Sequence, residues 1–238
     1  MYITMVDRRY LFVLAITGFV VAAAFLSRDG GEVVDVKDDK IVKLPEPKLK
    51  GNVSVEEALV GRRSVRNYED EPLTLSELGQ MLWSAQGVTV KWGGRTAPSA
   101  GATYPLEVYA VVGDVEGLKP GVYHYRPKGH SIEKTLEGDL RAELAKACIG
   151  QYMPAKAPVT LVIAAVYERT TKKYGNRGVM YVHMEAGHAG ENICLEAESL
   201  GLGTVSLGAF NDGEVKKLLK LPAEEEPLYM FPIGHVRG

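Results

Sequence analysis

The chain contains 238 residues, of which 46% are hydrophobic and 24% charged, a balance that fits one folded domain with an additional segment rather than a disordered chain. Its 28 lysines and arginines nearly balance its 30 aspartates and glutamates, so the net charge of −2 excludes a global basic surface for nucleic acid. The two cysteines, Cys148 and Cys194, exclude a disulfide framework and a cysteine-rich zinc site, and allow one bridge at most.

An uncharged apolar stretch, Tyr10–Leu26, lies close to the N-terminus. As a helix it would measure about 25 Å, slightly less than the hydrocarbon core of a bilayer. Three interpretations stay open: an uncleaved membrane anchor, a signal peptide cleaved near the small residues Ala22–Ala24, and a buried core helix. Arg8 and Arg9 precede the stretch, so the positive-inside rule predicts a membrane-anchored protein, or an exported one after cleavage, with its main domain outside the cytoplasm.

The composition divides the chain into three regions. Residues 1–28 form the predicted membrane anchor or signal segment, residues 29–51 a linker, and residues 52–238 the folded domain. The linker contains a pair of glycines, a charged run and the alternating Pro45 and Pro47, which favour an extended chain.

Two capping boxes mark the first helices of the folded domain, Ser54 with Glu57 and Thr74 with Glu77. A continuous apolar run further along predicts a strand that is covered on both faces. Helices and strands mix without strict alternation, which predicts an α+β fold, a three-layer α-β-α sandwich, preceded by one hydrophobic N-terminal helix. In chain order, the predicted elements are helices at 55–61 and 74–85, strands at 107–112, 122–125 and 132–136, a helix at 139–148, a strand at 159–166, a helix at 181–200, a strand at 204–207, a helix at 212–219 and a strand at 228–233.

Three arginines follow the first helix within a short stretch that also contains a serine: Arg62, Arg63, Ser64 and Arg66. Guanidinium groups bind phosphate through two parallel hydrogen bonds, and a serine hydroxyl adds one more donor. This stretch is therefore a candidate site for an anionic ligand. The alternative is a solvated basic corner that pairs with the acidic residues 69–71.

A run of small residues between two prolines precedes the first long strand and contains Pro98, Ser99 and Gly101. A loop with so few bulky side chains allows a flat ring or another backbone to come close. The alternative is an ordinary turn before the strand.

The glycines at 201, 203 and 208 have a spacing that is similar to a dinucleotide-binding fingerprint. They follow a helix and enter a strand, whereas that fingerprint needs the reverse order, so this interpretation is rejected. Gly201 is predicted to end the long helix. Gly208, next to Leu207 at the end of the strand, allows a cofactor to approach the backbone.

Lys173 and Tyr174 are adjacent before the long helix and are candidate proton-transfer groups if they lie near a substrate. The alternative is a charged loop. On that helix, Glu185 and His188 are three positions apart, as in carboxylate-bridged metal sites, but no second pair of this kind exists in the sequence, so no metal site is predicted.

The order of these motifs along the chain resembles that of the nitroreductase-like flavoprotein family. The arginine-serine stretch comes first, then Pro98–Gly101 with Tyr104–Glu107, then Gly201–Gly203, and finally Pro232–His235. The second motif, together with Lys173–Gly175 before the long helix, resembles the SagB-type dehydrogenase branch of the family. The resemblance covers the predicted folded domain.

This resemblance implies a three-layer sandwich of the FMN-dependent nitroreductase type that forms an intertwined homodimer with FMN at the interface. It implies that the arginine-serine stretch holds the FMN phosphate, ribityl chain and pyrimidine edge, while the loop at Pro98 comes from the partner chain. Ala102 stands where many members carry asparagine, which removes one expected hydrogen bond to the flavin edge. The cofactor-binding residues implied are Arg62, Arg63, Ser64, Arg66, Pro98, Ser99, Gly101, Leu207 and Gly208.

The resemblance also implies an FMN-dependent oxidoreductase that transfers a hydride between an electron donor, NAD(P)H in most relatives, and a small organic substrate. One alternative is an azoline dehydrogenase acting on the thiazolines or oxazolines of a modified peptide, because such enzymes use a catalytic Lys-Tyr pair that Lys173 and Tyr174 match. A second alternative is a non-enzymatic, membrane-tethered module that binds a partner.

Overall fold

The computed structural model of the protein describes residues 40–236. The strands are β1 (Ile41–Lys43), β2 (Leu106–Val112), β3 (Gly121–Arg126), β4 (Ser131–Glu137), β5 (Val159–Ala165), β6 (Leu202–Thr204) and β7 (Glu226–His235). The helices are α1 (Val55–Gly61), α2 (Leu75–Gln86), α3 (Arg141–Ala147), α4 (Met153–Lys156), α5 (Glu168–Tyr174), α6 (Arg177–Ser199) and α7 (Asp212–Leu219), with a 3-10 turn at Ala100–Ala102.

The strands form one seven-stranded sheet in the order β1-β4-β3-β2-β5-β7-β6, and every neighbouring pair is antiparallel. Every residue of β5, an interior strand of the sheet, is buried, as its continuous apolar run predicts. The predicted α+β fold with a central sheet is therefore confirmed. The predicted hydrophobic N-terminal helix lies outside the described residues.

Helices cover both faces of the sheet, and alternation along β2 shows how. Val108, Ala110 and Val112 pack into a core that also contains residues of α2 and α6. Tyr109 and Val111 face the other way and pack with residues of α3 and α7. Successive side chains of a strand point to opposite faces, so one strand supplies both cores and fixes three layers.

Both predicted capping boxes are present. The Glu57 N–H donates to Ser54 Oγ at 3.2 Å, and the Ser54 N–H donates to Glu57 Oε2 at 2.7 Å. Thr74 and Glu77 make the same reciprocal pair at the start of α2. These local signals place the starts of α1 and α2 where the sequence predicts them.

Two features differ from the sequence expectation because distant residues determine them. Strand β1 lies inside the predicted linker and pairs with β4, and its middle residue, Val42, is buried in the core. The residues around Lys173, whose alternative interpretation was a loop, form helix α5, and α6 begins at Arg177 instead of residue 181. Cys148 and Cys194, for which the sequence allowed one bridge at most, are free buried thiols.

The predicted membrane-spanning stretch, Tyr10–Leu26, lies outside the described residues. Within residues 40–236, no helix is long and apolar enough to cross a membrane. The longest helix of this part, α6, intersperses exposed polar residues among its buried apolar ones instead of presenting apolar side chains all round. As far as the described residues go, the prediction of a transmembrane, membrane-anchored protein with an extracytoplasmic domain is wrong.

Candidate active site

The stretch 62–66 lies along the sheet edge beside β6. Ser64 forms a parallel bridge with Thr204, and the Val65 N–H donates to the Thr204 carbonyl at 2.9 Å. Arg66 Nη1 donates to the Ser64 carbonyl at 3.2 Å. The exposed side chains of Ser64 and Arg66 are therefore held next to the C-terminal end of a strand.

Arg63 has a different environment from the two other arginines. Its Nη1 donates to the carbonyls of Val60, Gly61 and Arg62 at 2.7, 3.3 and 2.9 Å. The last carbonyls of a helix lack partners within the helix, and a cation there is favoured by the helix dipole. Arg63 thus caps the C-terminal end of α1, a role that the sequence motif alone does not distinguish from ligand binding.

Leu207 and Gly208 follow β6 and complete one side of the candidate site. Leu207 is buried and pairs with Met230 through two backbone hydrogen bonds of 2.8 and 3.0 Å, as an isolated bridge beyond the end of β6. Gly208 is exposed, and the nearest side-chain atom to a Cβ built on it is Tyr229 Cε2 at 3.8 Å. The backbone at Gly208 therefore leaves space for a flat ring.

Cys194, on α6, lies close enough to Arg62 to be affected by its charge. Its Sγ lies 3.6 Å from Ser206 Oγ. Burial raises the pKa of the Cys194 thiol, and the Ser206 hydroxyl and the Arg62 guanidinium oppose that rise. We call Arg62, Ser64, Arg66, Leu207 and Gly208 the arginine cluster; it lies at the C-terminal half of α6.

The remaining predicted residues form a second group, the loop cluster, which consists of Pro98, Ser99, Gly101, Lys173 and Tyr174. Gly101 has a φ of +61°, and Lys173 Nζ donates to its carbonyl at 3.4 Å. A Cβ built on Gly101 would lie 2.5 Å from both Lys173 Nζ and Tyr174 OH. The loop and the Lys-Tyr pair, separated along the chain, are therefore in direct contact.

A partly buried ion-pair network holds the loop cluster on the sheet. Arg169 of α5 lies 2.6 Å from Glu107 Oε1, and its Nη1 donates to the Tyr104 carbonyl at 3.0 Å. His124 Nε2 lies 2.7 Å from Glu107 Oε2. Although burial opposes it, hydrogen bonds from His124 and Arg169 lower the pKa of Glu107. Glu107 thus anchors both the loop and α5 as a carboxylate.

We expect Glu107→Gln to lower the free energy of unfolding by about 2 kcal/mol at neutral pH, because it leaves Arg169 and His124 without their carboxylate. The pKa of Glu107 is lower in the folded state, so this stabilisation is complete above the unfolded value of 4.5 and is lost as the pH falls below it. Urea denaturation between neutral and acid pH tests this. Glu168→Gln is the control, since its pair with Lys172 is exposed and should change stability little.

We expect Gly101→Ala to lower turnover by about tenfold, because the new methyl group displaces Lys173 and Tyr174 from the loop. The matched control is Gly201→Ala. Gly201 has a similar φ of +71° but nothing within 4 Å of its Cβ position, so it incurs the backbone strain alone. Denaturation measures the strain in both variants. Equal turnover in the two variants at equal stability would contradict the proposed contact.

One ionisable group of the site is not identified from the sequence. The side chain of Glu185, on α6, is 2% exposed, and its Oε1 has no hydrogen-bond partner among the residues that the structure describes. Burial raises the pKa of Glu185 to about 7, against the effects of Ser99 and of the Arg95 guanidinium. A signal was available, since Glu185 is in phase with the apolar Val182 and Ala189 on the helix.

The two clusters stay apart within one chain. Arg62 is near Cys194 and Ser99 is near Glu185, and these α6 positions are about 13 Å apart along the helix. Within residues 40–236, no hydrogen bond or ion pair joins the arginine cluster to the loop cluster. A cavity of about 690 Å³ beside the segment 48–55, α2 and α6 contains none of the predicted site residues.

Comparison with known proteins identifies the family. The model of the nitroreductase family matches residues 59–235. The chain is 50% identical over 197 residues to the nitroreductase MJ1384 of Methanocaldococcus jannaschii, which covers 83% of this chain and 97% of that protein. The crystal structure of a nitroreductase from Ralstonia eutropha JMP134 superposes with a TM-score of 0.73 at 30% identity, covering 86% of this chain and 93% of that one.

Two more distant relatives are named for different activities. The microcin B17-processing protein McbC of Escherichia coli is 29% identical over 132 residues, 53% of this chain and 48% of that protein. The FMN reductase [NAD(P)H] of Bacillus subtilis strain 168 is 27% identical over 192 residues, 75% of this chain and 64% of that protein. The chain thus spans about half to two thirds of the length of these two relatives.

Proposed function

The chain belongs to the nitroreductase family, and on that premise we propose that it is an FMN-dependent oxidoreductase that transfers a hydride between an electron donor and a small organic substrate. The observation that carries this proposal is the arginine cluster. Two guanidinium groups and a hydroxyl lie on the stretch that pairs with the last residue of β6. Four residues further along the chain, the backbone at Gly208 is open to a flat ring. This donor set suits the phosphate of FMN, and the glycine suits its ring.

When bound, FMN supplies the hydride chemistry. Arg62, Ser64 and Arg66 would bind its phosphate, and Leu207 and Gly208 would line the ring. Because Arg63 caps α1, its contribution would be to fix this stretch rather than to contact the cofactor. The similarity to an FMN reductase that uses NAD(P)H supports NAD(P)H as the donor.

The separation of the two clusters supports a homodimer. Within residues 40–236 of one chain, no hydrogen bond or ion pair joins the loop cluster to the arginine cluster, so a second copy would bring its Pro98, Ser99 and Gly101 to the flavin. Each of two equivalent sites would then take residues from both chains, as a twofold interface allows.

A second candidate function is azoline oxidation on a modified peptide. The contact of Lys173 and Tyr174 with the loop at Gly101 favours it, as does the similarity to the microcin B17-processing protein. Conversion of a thiazoline or oxazoline to the azole removes a hydride, which oxidised FMN would accept, and a proton. Lys173 and Tyr174 would take the proton, because both polar groups reach the loop cluster.

To test the proposal, the purified full chain is mixed with FMN, and the unbound FMN is then removed. We expect flavin absorbance at about one FMN per chain and a dimeric mass in solution. NADH, NADPH and azoline peptides are then screened as hydride donors, each of which would bleach the flavin absorbance. Nitroaromatic compounds are screened as acceptors, which would restore the absorbance of the reduced flavin. A colourless monomer would contradict both the cofactor and the shared site.

A further inference from the structure

Tyr167 and His183 form a hydrogen-bonded pair outside both clusters, which we call the tyrosine-histidine pair. Tyr167 lies between β5 and α5, and His183 is on α6. The Tyr167 hydroxyl is 2.5 Å from His183 Nε2, and the two rings meet edge to face with their centroids 5.6 Å apart. A hydroxyl and an imidazole at this distance can pass a proton between them, because each can donate and accept a hydrogen bond.

His183 lies on the face of α6 that borders the segment proposed to line the flavin ring. Gly187, Gly190 and Cys194 follow it at intervals of four, three and four residues, so the four positions share one side of the helix. Cys194 Sγ is 3.6 Å from Ser206 Oγ, and Ser206 directly precedes the two residues proposed to line the ring. This face of the helix therefore runs from the proposed flavin site to the tyrosine-histidine pair.

The ring of Tyr229 connects the same face to Gly208. A Cβ built on Gly190 would lie 3.5 Å from Tyr229 Cδ1, and one built on Gly208 would lie 3.8 Å from Tyr229 Cε2. His183 is about 10 Å from Gly190 along the helix. Between them, Gly187 is exposed, and nothing in the part of the chain that the structure describes lies within 4 Å of its Cβ position. The surface between Gly208 and the pair is therefore open to a substrate beside the flavin.

The tyrosine-histidine pair is separate from the Lys-Tyr pair, Lys173 and Tyr174. The ring of Tyr174 packs edge to face on Tyr181, with 5.2 Å between the centroids. Tyr181 precedes His183 by two positions, so the two side chains leave α6 about 160° apart. Candidate proton-transfer groups thus lie on two different sides of this helix, one beside the loop cluster and the other beside the segment proposed to line the ring.

The groups around Tyr167 keep its hydroxyl protonated. Burial raises the pKa of Tyr167, and the carboxylates of Glu226 on β7 and Asp212 on α7 add to that rise. Glu226 is paired with Lys216 of α7 at 2.6 Å. His183 is exposed, so its imidazole can exchange protons with the solvent. The pair therefore combines a hydroxyl that holds its proton at neutral pH with a partner that can replace the proton.

We propose that Tyr167 is a catalytic residue that donates a proton to the acceptor substrate, and that His183 positions the Tyr167 hydroxyl and returns its proton. This inference rests on the proposed function, which supplies the hydride. Reduction of a nitro group to a nitroso group takes one hydride, from reduced flavin, and one proton. One N–O bond breaks, and the oxygen leaves as water. Tyr167 gives the proton and receives one from the protonated imidazole, which regains its own from the solvent.

The two halves of the reaction are measured separately on the purified full chain loaded with FMN. Bleaching by NADPH follows reduction of the flavin. After photoreduction, recovery of absorbance follows its reoxidation by 1,4-dinitrobenzene, which needs a proton, or by ferricyanide, which takes electrons alone. For Tyr167→Phe we expect reoxidation by 1,4-dinitrobenzene to slow by about 100-fold, the contribution of a positioned proton donor. Reduction by NADPH and reoxidation by ferricyanide should change little, because neither takes a proton from Tyr167.

His183→Gln tests the partner of Tyr167, because the amide keeps a hydrogen-bonding group but cannot carry the proton. In the wild type we expect the rate with 1,4-dinitrobenzene to fall between about pH 5.5 and 8.5, the range in which histidine loses its charge. In His183→Gln we expect a slower rate that does not change with pH. His188→Gln is the control, since His188 is also exposed on α6 but leaves the helix about 140° away.

An unchanged rate with 1,4-dinitrobenzene in Tyr167→Phe, or equal losses with both acceptors, overturns the inference and leaves the flavin proposal standing. The wild-type pH profile in His183→Gln overturns it as well. Absence of FMN binding in the wild type overturns the proposed function and this inference with it. Thermal unfolding confirms that each variant is folded. If Tyr167→Phe does not fold, the pH profile of His183→Gln decides, because His183 is exposed and its replacement leaves the core intact.

Discussion

Replacement of Lys173 by alanine is expected to lower turnover by about 100-fold, the usual contribution of a positioned proton-transfer group. Lys173 Nζ contacts the Gly101 carbonyl, and Tyr174 OH reaches the same loop. Tyr174→Phe should have a similar effect. FMN affinity should change by less than about threefold in both variants, because neither side chain contacts the arginine cluster.

The matched control for Lys173 is its neighbour. Lys172 pairs with Glu168 on the exposed side of α5, so Lys172→Ala removes the same charge from the same helix without touching the loop. Each variant is assayed for nitroaromatic reduction and for azoline peptide oxidation. A loss confined to azoline oxidation would favour the peptide-processing candidate. Unchanged rates in both reactions would show that Lys173 takes no part in proton transfer.

The double variant Arg62→Ala, Arg66→Ala is expected to weaken FMN binding by at least about 100-fold, since each charge-assisted hydrogen bond to phosphate contributes a net free energy of about 1.5–3 kcal/mol. Riboflavin lacks the phosphate, so its dissociation constant should change little. Isothermal titration calorimetry with both ligands measures the difference. Equal losses for FMN and riboflavin would mean that the arginines support the fold of the site rather than bind phosphate.

Arg63→Ala is the control for this experiment. Its guanidinium binds the last carbonyls of α1, so we expect a modest loss of thermal stability and a dissociation constant for FMN within about threefold of the wild type. Measurement of FMN affinity at several salt concentrations distinguishes the two roles further, because phosphate binding by Arg62 and Arg66 weakens as ionic strength rises. A loss of FMN affinity in Arg63→Ala as large as in the double variant would assign the phosphate to Arg63 as well.

The sequence by itself determined those features that depend on near neighbours. The capping boxes at Ser54 and Thr74 place two helix starts because cap and partner are three residues apart. The apolar run of β5 predicts a buried interior strand, since a strand covered on both faces needs no alternation. The order of the arginine-serine stretch and the Pro98 loop identified the family for the same reason: each motif is a short run of residue types.

The tertiary structure alone decided what each side chain contacts. Arg62 and Arg63 are identical neighbours in sequence, but only Arg63 turns back onto the carbonyls of α1. Lys173 meets Gly101 across 72 positions of chain, and β1 enters the sheet by pairing with β4 far along the chain. Contacts of this range depend on how the layers pack, which no local pattern encodes.

Glu185 shows which properties of a residue follow from the sequence and which depend on the tertiary structure. Its position on α6 follows from helical periodicity, and its acidity in water would follow from its type. Its pKa is raised because packing removes water from the carboxyl and leaves its Oε1 without a hydrogen-bond partner among the described residues. The sequence therefore determined which chemical groups this protein has, and burial by distant segments raised the pKa of this one towards neutral pH.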